Sequence, residues 1–145
     1  MKLYLAHPIL SREDIRKKEL AFEERTGIEL VNPFYDGGET DMIALLDSGK
    51  VTLQEYAARL NGNGKGEEFV EGDLRAIDRA DGVVAVIYRG TPTIGTSMEI
   101  FYAAQTGKPV YIVTNFPEHI WLVHAAKKSG RFIVETFSEL EERLK

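Results

Sequence analysis

Val83-Val-Ala-Val-Ile-Tyr88 is the most apolar run of the chain and is rich in β-branched residues. An apolar run without alternation predicts a strand buried on both faces, as in the middle of a parallel sheet. Just before it, Phe69, Leu74, Ile77 and Ala80 recur at helical spacing, and Gly82 ends that helix. Just after it, Arg89 to Gly95 reads as a loop, Thr96 to Thr106 as a helix stopped by Gly107, and Pro109 to Thr114 as the next strand. A helix from about Pro117 to Lys128, a short strand from Arg131 to Val134 and a terminal helix from Ser138 to Lys145 complete that half.

In the other half, Lys2 to Ala6 predicts a short buried strand that His7-Pro8 breaks. Ser11 is placed to cap the following helix. Glu13 and Asp14 sit in its first turn, and it stops before Gly27. Ile28 to Val31 is a second strand, closed by Asn32-Pro33. An irregular helical and loop segment at 34–66 follows. Asp36-Gly37-Gly38 marks a turn, Thr40 opens a short helix through Leu46, and Thr52 caps another through Leu60. Asn61 to Gly66 reads as a mobile loop, either a plain connector or a lid over a site.

Strands alternating with helices predict a single-domain α/β fold. We expect a flavodoxin-like, Rossmann-like doubly wound parallel sheet of five strands in the order 2-1-3-4-5. Such sheets bind ligands at the carboxyl ends of their strands, where the strand order reverses. That point falls between the first strand and Val83–Tyr88, so the loops after Ala6 and after Tyr88 should form the site.

The 145 residues suit one domain. A net charge of -5, from 18 basic and 23 acidic side chains, leaves no basic excess for a nucleic-acid backbone. There is no Cys, which removes disulfides, thiolate catalysis and Cys-ligated zinc. No export signal or bilayer-length apolar run is present, so a soluble, cytoplasmic protein is expected, with no membrane partner. The three histidines, at 7, 119 and 124, show no metal-ligand spacing, and no metal or other cofactor is expected.

The loop after Tyr88 carries hydroxyls at Thr91, Thr93, Thr96 and Ser97, and Gly95 allows close backbone approach. Hydroxyls and free N–H groups at a helix start can hold an anion, although Thr96 or Ser97 would serve equally as a plain helix cap. Neither nucleotide-binding glycine pattern, G-x-x-x-x-G-K-[ST] nor G-x-G-x-x-G, is present. Glu99 falls at the expected ligand edge of the sheet, in the first turn of the predicted helix, where a carboxylate also suits the helix dipole. Asp73 is a second candidate carboxylate, with the plainer role of a solvated acid like Glu71, Asp78 and Asp81.

Three blocks, taken in order, resemble the nucleoside 2-deoxyribosyltransferase superfamily. They are Lys2-Leu-Tyr-Leu-Ala-His-Pro8, Asp73-Leu-Arg-Ala-Ile-Asp-Arg-Ala-Asp-Gly-Val-Val-Ala-Val86 and Gly95-Thr-Ser-Met-Glu-Ile-Phe-Tyr-Ala-Ala-Gln-Thr-Gly-Lys-Pro109. The third is similar to that family's G-T-x-x-E-[IL]-G-x-A-x-x-x-G-K-P. It departs at Phe101, where a Gly is usual, and His7 stands where a small residue is often found. The resemblance implies that Glu99 is a nucleophile at the anomeric carbon and that Asp73 is an acid assisting departure of the base. It implies that Tyr4 orients the nucleophile. It also implies homo-oligomers with sites built across subunits.

Transferases of that family acting on free nucleosides commonly have Asp at the position of Thr93, and related deoxynucleoside 5′-monophosphate N-hydrolases have a hydroxyl residue there. Thr93, with Gly95, Thr96, Ser97, His7, Ser11 and Arg12, is therefore expected to bind substrate, and Thr93 leaves room for a phosphate. The resemblance thus implies cleavage or transfer of the N-glycosidic bond of a nucleoside or its 5′-monophosphate. The alternative is a nucleotide-sensing module without turnover. A flavodoxin-like redox protein fits less well, because His7-Pro8-Ile9-Leu10 lacks the Ser, Thr and Gly that would hold a cofactor phosphate.

Overall fold

The computed structural model describes residues 1–37, 40–62 and 64–145. Five parallel strands, β1 (Lys2–Ala6), β2 (Glu29–Val31), β3 (Gly82–Ile87), β4 (Val110–Thr114) and β5 (Ile133–Val134), lie in the order β2-β1-β3-β4-β5, as expected. Every residue of β3 and β4 is buried, which is why β3 reads as an unbroken apolar run and β4 is apolar up to its buried last residue, Thr114.

Alternate residues of each strand feed two cores. Tyr4, Ala6, Val83, Ala85 and Ile112 face α5 (Lys65–Arg79), α6 (Ile94–Gln105) and α7 (Ile120–Ser129). Leu3, Leu5, Val84, Val86 and Val113 face α1 (Arg12–Thr26) and α8 (Phe137–Leu144). A third cluster of Phe34, Ile43, Val51 and Tyr56 belongs to 34–66, which folds as α2 (Pro33–Asp36), α3 (Thr40–Asp47) and α4 (Leu53–Gly62).

Several motif residues serve the fold. Gly82 ends no helix. It opens β3, where an added Cβ would come within 2.9 Å of the Pro109 carbonyl oxygen and 3.3 Å of Leu3. Gly107 is left-handed (φ 81°) just beyond α6, as a C-terminal glycine allows. The Lys108 ammonium donates to the carbonyls of Asp78 and Ala80, both at 2.7 Å, and so satisfies orphan acceptors at the end of α5. Asp81 bonds the first strand at both backbone groups, accepting from Lys2 N and donating to Lys2 O at 2.8 Å each. Asp78 accepts from the Tyr102 hydroxyl at 2.8 Å. Two of the acids in the second motif block are thereby occupied with structure.

The expected loop at Asn61 to Gly66 is mostly helix. Asn61 and Gly62 finish α4, Lys65 and Gly66 begin α5, and Gly64 takes the left-handed turn between them (φ 68°). Glycine and asparagine marked a tight helix–helix corner here rather than a long connector. Asn63, like Gly38 of the expected turn, lies outside the described residues. Ser11 does precede α1, but its hydroxyl makes no capping bond. No helix of the described residues is long and apolar enough to cross a membrane.

Candidate active site

The site grows from the carboxyl end of β1. Tyr4 is fully buried on the face covered by α5 and α6, and its hydroxyl donates to Glu99 Oε2. Glu99 stands on α6, which begins two residues earlier than predicted, because the Thr93 carbonyl already accepts from Ser97 N at 2.8 Å. Glu99 therefore sits in the second turn, and the first turn holds no acid. Compensation of the helix dipole, which fades beyond the first turn, loses its force as an explanation for this carboxylate.

Burial pushes the Glu99 carboxyl up to about 7, against the Tyr4 hydrogen bond, which pulls it down. The direction is that of a desolvated carboxylate with no cation beside it. Such a group is a poor choice for stability and a good one for chemistry near neutrality.

Glu99 opens into a cavity of about 460 Å³ over the ends of β1 and β2, beside the start of α6. His7 and Ile9 form one wall. Tyr56 and Leu60 of α4, with Phe69 and Asp73 of α5, form another, and Thr93 to Thr96 with Met98 close a third. Asp73 is half-buried and also borders an adjoining cavity of about 460 Å³ with Tyr4, Asp36, Lys65 and Glu68. Two carboxyl groups on different helices thus meet one largely apolar space.

The start of α6 faces the same space. Thr93 precedes the helix, and its side chain makes no capping bond. A Cβ built on Gly95 would touch nothing within 4 Å, so this glycine is not demanded by packing and leaves open room beside the cavity. Free helix N–H groups and the Thr93 hydroxyl at a cavity rim suit an anionic group.

The remaining expected residues fall elsewhere. Ser97 faces a different cavity of about 440 Å³ between α6 and α7, lined by Phe101, Trp121 and His124 among others. Among the described residues no Asp or Glu lines that cavity, so the candidate carboxylates belong to the first. Phe101, the departure in the third block, also points there, two positions round the helix from Glu99. Arg12 is turned away from the cavity. Its guanidinium binds Asp47, with Nε–Oδ1 at 2.7 Å, and donates to the Ile9 carbonyl at 2.9 Å, which braces the turn after Pro8 from behind. Ser11 lies in that same turn, outside the lining of the cavity.

Tyr56, Phe69 and Met98 join the lining without having been expected from sequence. Only the apolar spacing along each helix hinted at them, and that signal cannot separate a core residue from a cavity wall. Asn32 and Glu19, both fully buried and in contact with His7 or its partner, were equally hidden.

No curated protein matches the chain at a significant level. Among solved structures it is similar to a 2-deoxyribosyltransferase from the psychrotolerant bacterium Bacillus psychrosaccharolyticus. That match has 21% identity and a TM-score of 0.64, over 97% of this chain and 90% of that one. It is also similar to the CMP N-glycosidase BcmB of Clostridium botulinum, with 17% identity and a TM-score of 0.55, over 99% and 98% of the two chains. These likenesses extend the fold comparison to almost every residue. The family model for nucleoside 2-deoxyribosyltransferases matches residues 3–141, from the strand that bears Tyr4 to the last helix, and the chain belongs to the nucleoside 2-deoxyribosyltransferase family.

Proposed function

We propose that the protein cleaves or transfers the N-glycosidic bond of a nucleoside or nucleoside 5′-monophosphate through a glycosyl–Glu99 intermediate. The observation that carries this reading is the Glu99 carboxyl, desolvated, held by Tyr4 and opening into a cavity that Asp73 shares. In the first step Glu99 attacks the anomeric carbon, the C–N bond breaks, and Asp73 gives its proton to the departing base. In the second, Asp73 takes a proton from water or from an incoming base, which displaces Glu99. Tyr4 fixes one carboxyl oxygen and leaves the other for attack. The test is incubation with a panel of nucleosides and 5′-monophosphates, with and without a second base, read by chromatography. Free base without an acceptor marks a hydrolase, a new nucleoside marks a transferase, and no turnover on any substrate sinks the reading.

The open helix start at Thr93 and Gly95 favours the monophosphate among these substrates. Hydrogen bonds to a charged phosphate are roughly twice as strong as neutral ones. A carboxylate at residue 93 would set an anion against an anion. Thr93→Asp is expected to lower kcat/KM for a 5′-monophosphate by about tenfold or more, a like-charge cost of order 1.4 kcal/mol in a partly solvated site. The parent nucleoside should be spared or favoured. Equal effects on both substrates would show that no phosphate sits beside Thr93.

The same reading includes an oligomer. Ile94, Met98 and Phe101 form an exposed apolar stripe on α6, continued by Trp121 of α7. Stripes of this kind mark surfaces that another chain covers. Sedimentation velocity should show an assembly that Met98→Glu weakens, and a monomer at micromolar concentration would contradict it.

A further inference from the structure

His7 departs from the family pattern and faces the catalytic cavity, and its ring is not free to turn. It is 3% exposed, with Nε2 3.0 Å from Asn32 Oδ1 and Nδ1 3.2 Å from the Pro8 carbonyl oxygen. Asn32 cannot choose which atom it offers. Its Nδ2 donates to Glu19 Oε2 at 2.8 Å, while its Oδ1 already accepts from Phe34 N at 3.1 Å. Flipping the amide would set N–H against N–H at Phe34 and oxygen against carboxylate at Glu19. Asn32 therefore presents an oxygen to His7, as the Pro8 carbonyl does to Nδ1; a neutral ring donates to only one of them, and the shorter contact, 3.0 Å against 3.2 Å, assigns the proton to Nε2. Glu19 is itself pinned, because its other oxygen accepts from Arg16 at 2.7 Å. Phe34 packs edge-on against the imidazole, with centroids 5.0 Å apart.

The chain of bonds runs from α1 through the end of β2 to the residue after β1, so three elements converge on one ring. With Nε2 bound to Asn32 and Nδ1 turned to Pro8, the ring has only carbon to show a ligand. We propose that Glu19 and Asn32 are positioning residues that hold an Nε2-protonated His7 as a rigid wall of the catalytic cavity, so that His7 selects substrates by shape and not by hydrogen bonding. This rests on the cavity being the substrate site proposed above.

The test has a spectroscopic arm and a kinetic arm. In protein labelled with ¹⁵N-histidine, NMR should show a protonated Nε2 that disappears in His7→Gln. Asn32→Asp places two carboxylates together and breaks the chain. Adding Glu19→Gln restores it with the donor now on residue 19, while residue 32 still accepts from His7. The Nε2–H signal should be lost or displaced in the single variant and return in the double. KM should rise at least tenfold in the single variant with kcat changed less than threefold, and recover to within threefold in the double. An Nδ1–H tautomer in the parent, or a folded double variant without recovery, overturns the proposal. If Asn32→Asp does not fold, His7→Ala decides. It should shift kcat/KM at least fivefold toward the larger member of a substrate pair differing by one hydroxyl or methyl group, and unchanged ratios overturn the proposal. Should no nucleoside or nucleotide turn over, the functional reading fails while the NMR arm still judges the relay.

Discussion

Glu99→Gln is expected to lower kcat by at least about a thousandfold, because the amide keeps the shape of the side chain but cannot form the glycosyl ester. Substrate binding should change little. The same substitution should stabilise the protein. Free Glu loses its proton near 4.5, whereas burial holds the proton on Glu99 up to about 7. Between these values the folded state binds more protons than the unfolded one, so stability falls as pH rises and the cost is complete above about 7. Gln carries no such cost, and the gain at pH 8 should reach up to about 3 kcal/mol, vanishing near pH 4. A variant less active and less stable at pH 8 would point to a structural glutamate.

The ionisation has a kinetic face as well. Attack needs the carboxylate, so the limb of the kcat/KM profile that reports Glu99 should rise with pH around 7. Tyr4 donates the hydrogen bond that draws this value down. Tyr4→Phe should move the rising limb to higher pH, and an unmoved limb would assign that limb to another group.

The sheet was legible because β3 and β4 are buried on both faces, an environment that favours a run of apolar residues. Right-handed crossovers leave few strand orders, and the flavodoxin-like 2-1-3-4-5 is the one observed. The segment 34–66 was less legible because short helices carry little periodicity, and the Gly and Asn residues at 61–66 serve a tight corner as well as they would a loop. Glu99, Asp73 and Tyr4, which the structure brings together, stand in the motif blocks. The pairing of Arg12 with Asp47 was hidden because the two lie 35 residues apart. Glu19 was invisible. It sits in a run of charged residues on α1, and only the fold turns it inward to Asn32. Long-range pairing of this kind leaves no local signal.

Asp73→Asn is expected to slow release of an ordinary base by about 10²- to 10⁴-fold, the usual worth of a positioned proton donor. The motivation is geometric: Asp73 borders both the Glu99 cavity and the adjoining one. Asn keeps the shape but cannot hand over a proton, so the loss should depend on the leaving group. A base that departs without protonation, such as the 7-methylguanine of a cationic 7-methylguanosine or its monophosphate, needs no acid. For such a substrate the variant should retain most of the parent's kcat, while for an ordinary purine or pyrimidine it does not. The two substrates are compared in parent and variant under single-turnover conditions, which isolate the bond-breaking step from the second displacement. If both slow by the same factor, Asp73 binds the base without protonating it, and the proton must reach the base from elsewhere.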